Sequence, residues 1–118
     1  MKIISIKNHG FLDYITVLAF ALIPTVFGLE GIAANLSYAL AAIHLTMTLL
    51  TAFPLGVAKV IPLKLHKLVE TIVGPVLIAA PWILGFSENL TARYVYVAMG
   101  LIIIAVGLLT DYFGSQTT

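Results

Sequence analysis

Apolar residues gather in four stretches, at about 9–29, 33–53, 65–86 and 90–112. Each is close to the roughly 20 residues that a helix rising about 1.5 Å per residue needs to cross a hydrocarbon core about 30 Å thick. The breaks between them carry turn chemistry: Gly28, Leu29, Glu30 and Gly31, then Pro54, Leu55 and Gly56 through Pro62, then Ser87, Glu88 and Asn89. Connections this short set consecutive helices antiparallel. The pattern predicts an all-α fold, an integral membrane four-helix bundle, as a single transmembrane domain over residues 1–118.

Composition strengthens the membrane reading. The chain is 61% hydrophobic and 9% charged, whereas roughly a quarter of the residues of a water-soluble domain are charged. In 118 residues a single core could not hide that much apolar surface from water, and lipid removes the need to. Six lysines and arginines with a net charge of +1 give no field able to neutralise several phosphates, so nucleic acid is not an expected partner. The absence of cysteine excludes disulfides, thiolate metal sites and thiol catalysis. Met1 and Lys2 before an apolar run resemble a signal peptide, but that run is as long as a full crossing and has a counterpart in the third run, so it reads as mature structure. Lys2, Lys7, Lys59, Lys64 and Lys67 fall on one side and Arg93 on the other. By the positive-inside bias both termini are expected in the cytoplasm, in a cell membrane. Trp82, Tyr94 and Tyr96 would then sit at the outer headgroup level.

A shift of 57 residues pairs His9 with His66, Asp13 with Glu70, Pro24 with Pro81 and Gly28 with Gly85. Each half reads His-x3-Asp/Glu-x10-Pro-x3-Gly, and four such residues at fixed offsets in apolar sequence indicate a duplication. Repeat 1 covers about 7–53 and repeat 2 about 64–112. A unit of two crossings re-enters the membrane in the same direction, so a pseudo-two-fold axis along the membrane normal is expected. The second helices match poorly at this shift, which places Leu101 opposite His44.

The segment Ala80, Pro81, Trp82, Ile83, Leu84, Gly85 and Phe86, in the first helix of a two-helix unit, resembles the SPW-repeat membrane proteins, whose hallmark is Ser-Pro-Trp there. The second copy has Ala-Pro-Trp and the first has Ile23, Pro24 and Thr25. The resemblance implies a small integral membrane protein of two-helix repeats and implies no activity.

A helix turns about 100° per residue, which puts His9, Asp13, Thr16, Phe20, Pro24 and Phe27 in one sector, and His66, Glu70, Val73, Leu77, Pro81 and Leu84 in another. Polar groups in membrane helices face the bundle, so these are the expected inward faces. Ser37, Ala41, His44, Thr48 and Thr51 form a third, and Gly100 and Gly107 a close-packing stripe on the fourth helix, with Asp111 at its inner end. Pro24 and Pro81 free the carbonyls of Phe20 and Leu77, and Gly28 and Gly85 suit left-handed helix ends. Two readings of His9, Asp13, His66 and Glu70 stand side by side. As structural pairs, each carboxylate fixes the histidine four residues earlier; as metal ligands, two imidazoles and two acids suit zinc, iron or manganese. His44 reads as a neutral buried histidine bonded to Thr48 or a backbone carbonyl, roughly 15 Å above the inner histidines by helix rise. Glu88 and Arg93 read as a surface pair.

No phosphate-binding glycine loop, nucleophile elbow or HExxH motif is present. The sequence therefore points to a structural protein, or one that binds a small ion or partner and oligomerises, before it points to an enzyme. An oligomeric transporter of ions or small molecules, a metal- or quinone-dependent electron-transfer component, and a pH sensor built on the histidines are the alternatives.

Overall fold

A computed structural model describes residues 2–112. Its helices are α1 (Ile6–Phe27), α2 (Gly31–Leu50), α3 (Leu63–Ile83) and α4 (Leu90–Leu109), each shifted by a few residues from the apolar stretch that announced it. The start of α1 is set by Ser5, whose hydroxyl accepts from the Asn8 N–H, and that of α4 by Asn89, whose side chain accepts from the Ala92 N–H. Gly28 ends α1 at φ 65°, a conformation strained for any residue with a Cβ, and Gly85 follows α3 at φ 82°. Leu29 N–H donates to Pro24 and Phe86 N–H to Pro81, so both copies close their first helix alike. The carbonyl of Phe20, freed by Pro24, accepts from the Ser37 hydroxyl at 2.7 Å. It holds α2 against α1 and does not open toward a ligand.

Packing follows the duplication: α1 lies on α2 and α3 on α4. The second hairpin is tightest where a Cβ on Gly100 would stand 2.6 Å from the Gly74 carbonyl oxygen. Small residues at this crossing bring the backbones together, as helix association in lipid requires. Gly107, expected on the same stripe, instead faces open space, with only the Tyr112 hydroxyl 4.0 Å from a Cβ built there. Tyr96 is buried and donates to the Ala33 carbonyl at 2.5 Å, tying α4 to α2. Its place is thus the core, whereas Trp82 and Tyr94 are exposed. Arg93 donates to the Tyr94 hydroxyl and lies over its ring, in place of the expected pairing with Glu88.

Lipid is the medium that suits the outer surface. Ile15, Leu18, Leu22 and Val26 on α1, and Leu101, Ile102 and Leu108 on α4, are all exposed. Helices α1, α2 and α4 are long and apolar enough to cross a membrane. At 21 residues α3 is as long, but Lys64, His66, Lys67 and Glu70 occupy its first two turns. Lysine stems of this kind reach the headgroup level from a spanning helix.

The two halves close on each other by exchanging ends. Ile61, before α3, bridges Thr51, after α2; Ile4, before α1, bridges Thr110, after α4. Ile61 N–H donates to Leu50 and Ala52 N–H to Ile61, while Ile4 N–H donates to Leu109 and Asp111 N–H to Ile4. These two sets are the same bonds in the two copies. The first helices are related by a shift of 57, but the second helices by 59, as Thr51 and Thr110 show. The cause is the connection at 84–89, longer than the one at 28–30. At the corrected register the buried positions Ala33, Ser37, Ala41 and His44 fall on the buried Ala92, Tyr96, Gly100 and Ile103. The counterpart of His44 is therefore Ile103 and not Leu101.

Candidate metal centre

The exchanged ends bring one end of the bundle together around the pseudo-axis. His9 in the first turn of α1 and His66 in the first turn of α3 are both fully buried, and Asp13 and Glu70 sit one turn further along. Each histidine meets both acids. His9 Nε2 lies 3.2 Å from Asp13 Oδ1 and 2.9 Å from Glu70 Oε2; His66 Nε2 lies 3.0 Å from Asp13 Oδ2 and 2.9 Å from Glu70 Oε1. The result is a closed ring of alternating imidazole and carboxylate, not two separate pairs. One ligand atom from each of the four residues lies within 4.8 Å of all the others.

The orientation of both rings is set from behind by threonine. His66 Nδ1 is 2.7 Å from Thr51 Oγ1 and His9 Nδ1 is 2.8 Å from Thr110 Oγ1. Each hydroxyl hydrogen is already engaged, Thr51 donating to Met47 and Thr110 to Val106. The oxygens are therefore left to accept, and both histidines must carry a proton on Nδ1 and donate it. Threonine, and not the carboxylate one turn on, fixes the tautomer. A ring so held turns its Nε2 to the centre, the arrangement that metal-binding histidines share.

Aromatic rings seal the two sides, Phe53 at 5.6 Å from His66 and Tyr112 at 5.2 Å from His9, measured between ring centroids. At the register of 59 these are equivalent positions. Only Tyr112 brings a hydroxyl, 3.4 Å from Glu70 Oε2. Burial and then the charges of Glu70 and Asp13 push its phenol above the ordinary value, so it stays protonated and donates.

His44 departs most from expectation. Thr48 donates to its backbone carbonyl and not to its ring. The ring points into the cluster, with Nε2 3.5 Å from Asp13 Oδ1 and 3.7 Å from Glu70 Oε1, and its centroid is 6.5 Å from that of His66. The separation of roughly 15 Å fails because α2 stops at Leu50, which leaves His44 six residues, about 9 Å, from the helix end. Asp111 is buried nearby, but the ligand atoms that converge belong to His9, Asp13, His66 and Glu70.

Among the described residues, the buried side-chain atoms with no hydrogen-bond partner are His9 Nε2, Asp13 Oδ2 and His44 Nε2. All three belong to this cluster. Carboxylate oxygens lie within ion-pair distance of His9 Nε2 and His44 Nε2, yet off the direction an N–H would need, whereas His66 Nε2 is hydrogen-bonded to Glu70 Oε1 at 2.9 Å. A cavity of about 10 Å³ bounded by Asp13, Thr16, His44 and Glu70 is of the size that one water or one ion fills. Two carboxylates and two neutral imidazoles around a divalent cation sum to zero charge, which matters where charge is expensive.

Of the residues that shape this site, Thr110, Phe53 and Tyr112 were not singled out from the sequence, and Thr51 was placed only on a face. The signal was present: Thr51, Ala52 and Phe53 align with Thr110, Asp111 and Tyr112 once the shift is 59.

Fold and site together define a small polytopic helical membrane protein made of a duplicated two-helix unit. The chain belongs to the SPW repeat family, whose SPW repeat domain model matches residues 7–110. No curated protein and no solved structure matches it.

Proposed function

We propose that this protein binds one divalent transition metal ion at the closed end of its bundle, with His9, Asp13, His66 and Glu70 as ligands. The observation that carries the proposal is the convergence of four buried donors whose histidines are both held from behind by threonine hydroxyls. Hydrogen-bonded imidazole and carboxylate could close the helix ends without an ion. That arrangement would leave His9 Nε2 and Asp13 Oδ2 without aligned partners, at a cost of about 1–3 kcal/mol each. An ion at the centre satisfies both. Zinc, iron and manganese all accept imidazole and carboxylate. The ion would join α1 to α3 and so link the two repeats. The five lysines at this end favour its placement on the cytoplasmic side of a cell membrane.

Elemental mass spectrometry of protein purified in mild detergent without chelator tests this, beside a His66→Ala variant. The expected result is about one zinc, iron or manganese per chain, absent from the variant. Metal-free, folded protein in both preparations would overturn the proposal and leave the ring as a helix clamp.

One observation favours an electron-transfer reading among metal proteins. A cavity of about 370 Å³, lined by Lys67, Glu70, Pro75, Ile104, Gly107 and Tyr112, reaches the cluster through Glu70 and Tyr112. It is of the size that takes a small lipophilic molecule such as a quinone head. Bound iron with a visible spectrum that changes on adding a short-chain quinone supports that reading, and bound zinc removes it.

A further inference from the structure

His44 belongs to one repeat only, which makes it the polar residue least explained by the duplicated motif. It is buried at 7% exposure, its Nε2 has no hydrogen-bond partner, and the residue lines the small cavity together with Asp13 and Glu70. A lone buried imidazole nitrogen would be costly among apolar neighbours. Leu12, Ile102, Ile103 and Val106 are those neighbours around the same cavity. The groups that face it from packed elements are Asp13 of α1 and Glu70 of α3. From α4 the equivalent position supplies the apolar Ile103.

We infer that His44 is a fifth metal ligand, entering from α2 on one side of the pseudo-axis, so that the site binds its ion in a five-coordinate sphere of three imidazoles and two carboxylates. The inference rests on the metal-binding reading above and deepens it. His9, Asp13, His66 and Glu70 come from α1 and α3 and, alone, would offer a four-ligand sphere of the kind structural zinc takes. A third imidazole at 3.5–3.7 Å from the two carboxylates moves the site away from a closed tetrahedron. It favours ions that accept higher coordination, iron and manganese above structural zinc. Because Ile103 stands where a sixth, symmetry-related ligand would be, one position stays unprotected by a protein donor.

Cobalt(II) reports coordination number directly, since its visible d–d bands are intense in a tetrahedral field and several-fold weaker in five- or six-coordinate ones. Metal-stripped protein in detergent is titrated with cobalt chloride, beside His44→Leu and His44→Gln, with folding followed by far-ultraviolet circular dichroism. The expected result is weak bands in the parent and a several-fold rise in intensity in His44→Leu at retained stoichiometry. The affinity of His44→Leu should fall by at least the roughly 10–100-fold that even outer partners of a ligand command. Should His44→Leu fail to fold, His44→Gln, which keeps a polar group of similar reach, should shift the band positions. Parent and variants with the same spectrum and affinity would overturn the five-ligand inference while leaving the metal site standing. No cobalt uptake by the folded parent would overturn both.

Discussion

Replacing Thr51 by valine tests whether threonine positions the histidines. The swap keeps the shape of the side chain and removes one hydroxyl, which donates to Met47 at 2.6 Å and accepts from His66 at 2.7 Å. Thr48→Val is the matched control. Thr48 is equally buried and donates to His44 at 2.7 Å, but no side chain donates to it. Each variant forfeits one hydroxyl-to-carbonyl bond, worth about 0.5–1.5 kcal/mol net. Thr51→Val additionally strands a buried Nδ1–H, which adds about 1–3 kcal/mol. Thr110→Val strands that of His9 and should match Thr51→Val. Unfolding in mixed micelles with rising dodecyl sulfate, followed by circular dichroism, should therefore rank Thr51→Val and Thr110→Val below Thr48→Val by about 1–3 kcal/mol. Zinc affinity should fall about 10–100-fold in the first two, since the ring is no longer aimed. Equal loss in Thr48→Val and Thr51→Val would refute the claim that the hydroxyls act on the histidines.

The remaining predictions concern packing and the sealing aromatic. Gly100→Ala should destabilise by about 1–3 kcal/mol, since its Cβ meets the Gly74 carbonyl and Ile78 at 2.6 Å and only separation of α3 from α4 relieves it. Gly107→Ala should be neutral or up to about 1 kcal/mol stabilising in the same assay, because its Cβ meets open space. For Tyr112 the phenol is raised in the folded state, so the stability it contributes is intact below its ordinary value of 10.0 and is lost as pH rises beyond that. Comparing unfolding at about pH 8 and about pH 11, the parent should lose more than Tyr112→Phe, which restores the residue type of Phe53 in the first repeat.

The sequence carried the helices because the apolar runs, the glycine ends and the proline positions are local signals. It carried the four residues of the ring, His9, Asp13, His66 and Glu70, because His, Asp and Glu are rare in membrane helices and recur at one shift. The mismatch of the second helices came from one local fact, the longer connection at 84–89. A repeat searched at one shift loses its second half when a loop changes length, so Thr51 and Thr110 went unmatched and His44 was set against Leu101. The exchange of ends was equally hidden, because a bridge between Ile4 and Thr110 joins residues far apart in the chain. Tyr96 misled for a different reason. Its ring carries a hydroxyl that finds the Ala33 carbonyl in the core, so it is an amphipathic residue whose polar end is satisfied inside.

Exchange of ends also explains why the chemistry sits where it does. A two-helix unit closing on itself would place each His and acid pair against its own second helix, leaving two separate half-sites. Because α2 ends against the start of α3 and α4 against the start of α1, the His-bearing turns are brought together on the axis. Each ring is then backed by one threonine, Thr51 for His66 and Thr110 for His9. Around this shared frame the copies differ at three positions that touch the cluster. Glu70 has one more methylene than Asp13 and reaches His9 at 2.9 Å, closer than the 3.2 Å of His9 to Asp13 in its own helix. Tyr112 replaces Phe53 on the side where the larger cavity opens, and His44 replaces Ile103 where the smaller one lies. Duplication builds a nearly symmetric ring, and these three differences make its two sides unlike, a larger cavity beside Tyr112 and a smaller one beside His44.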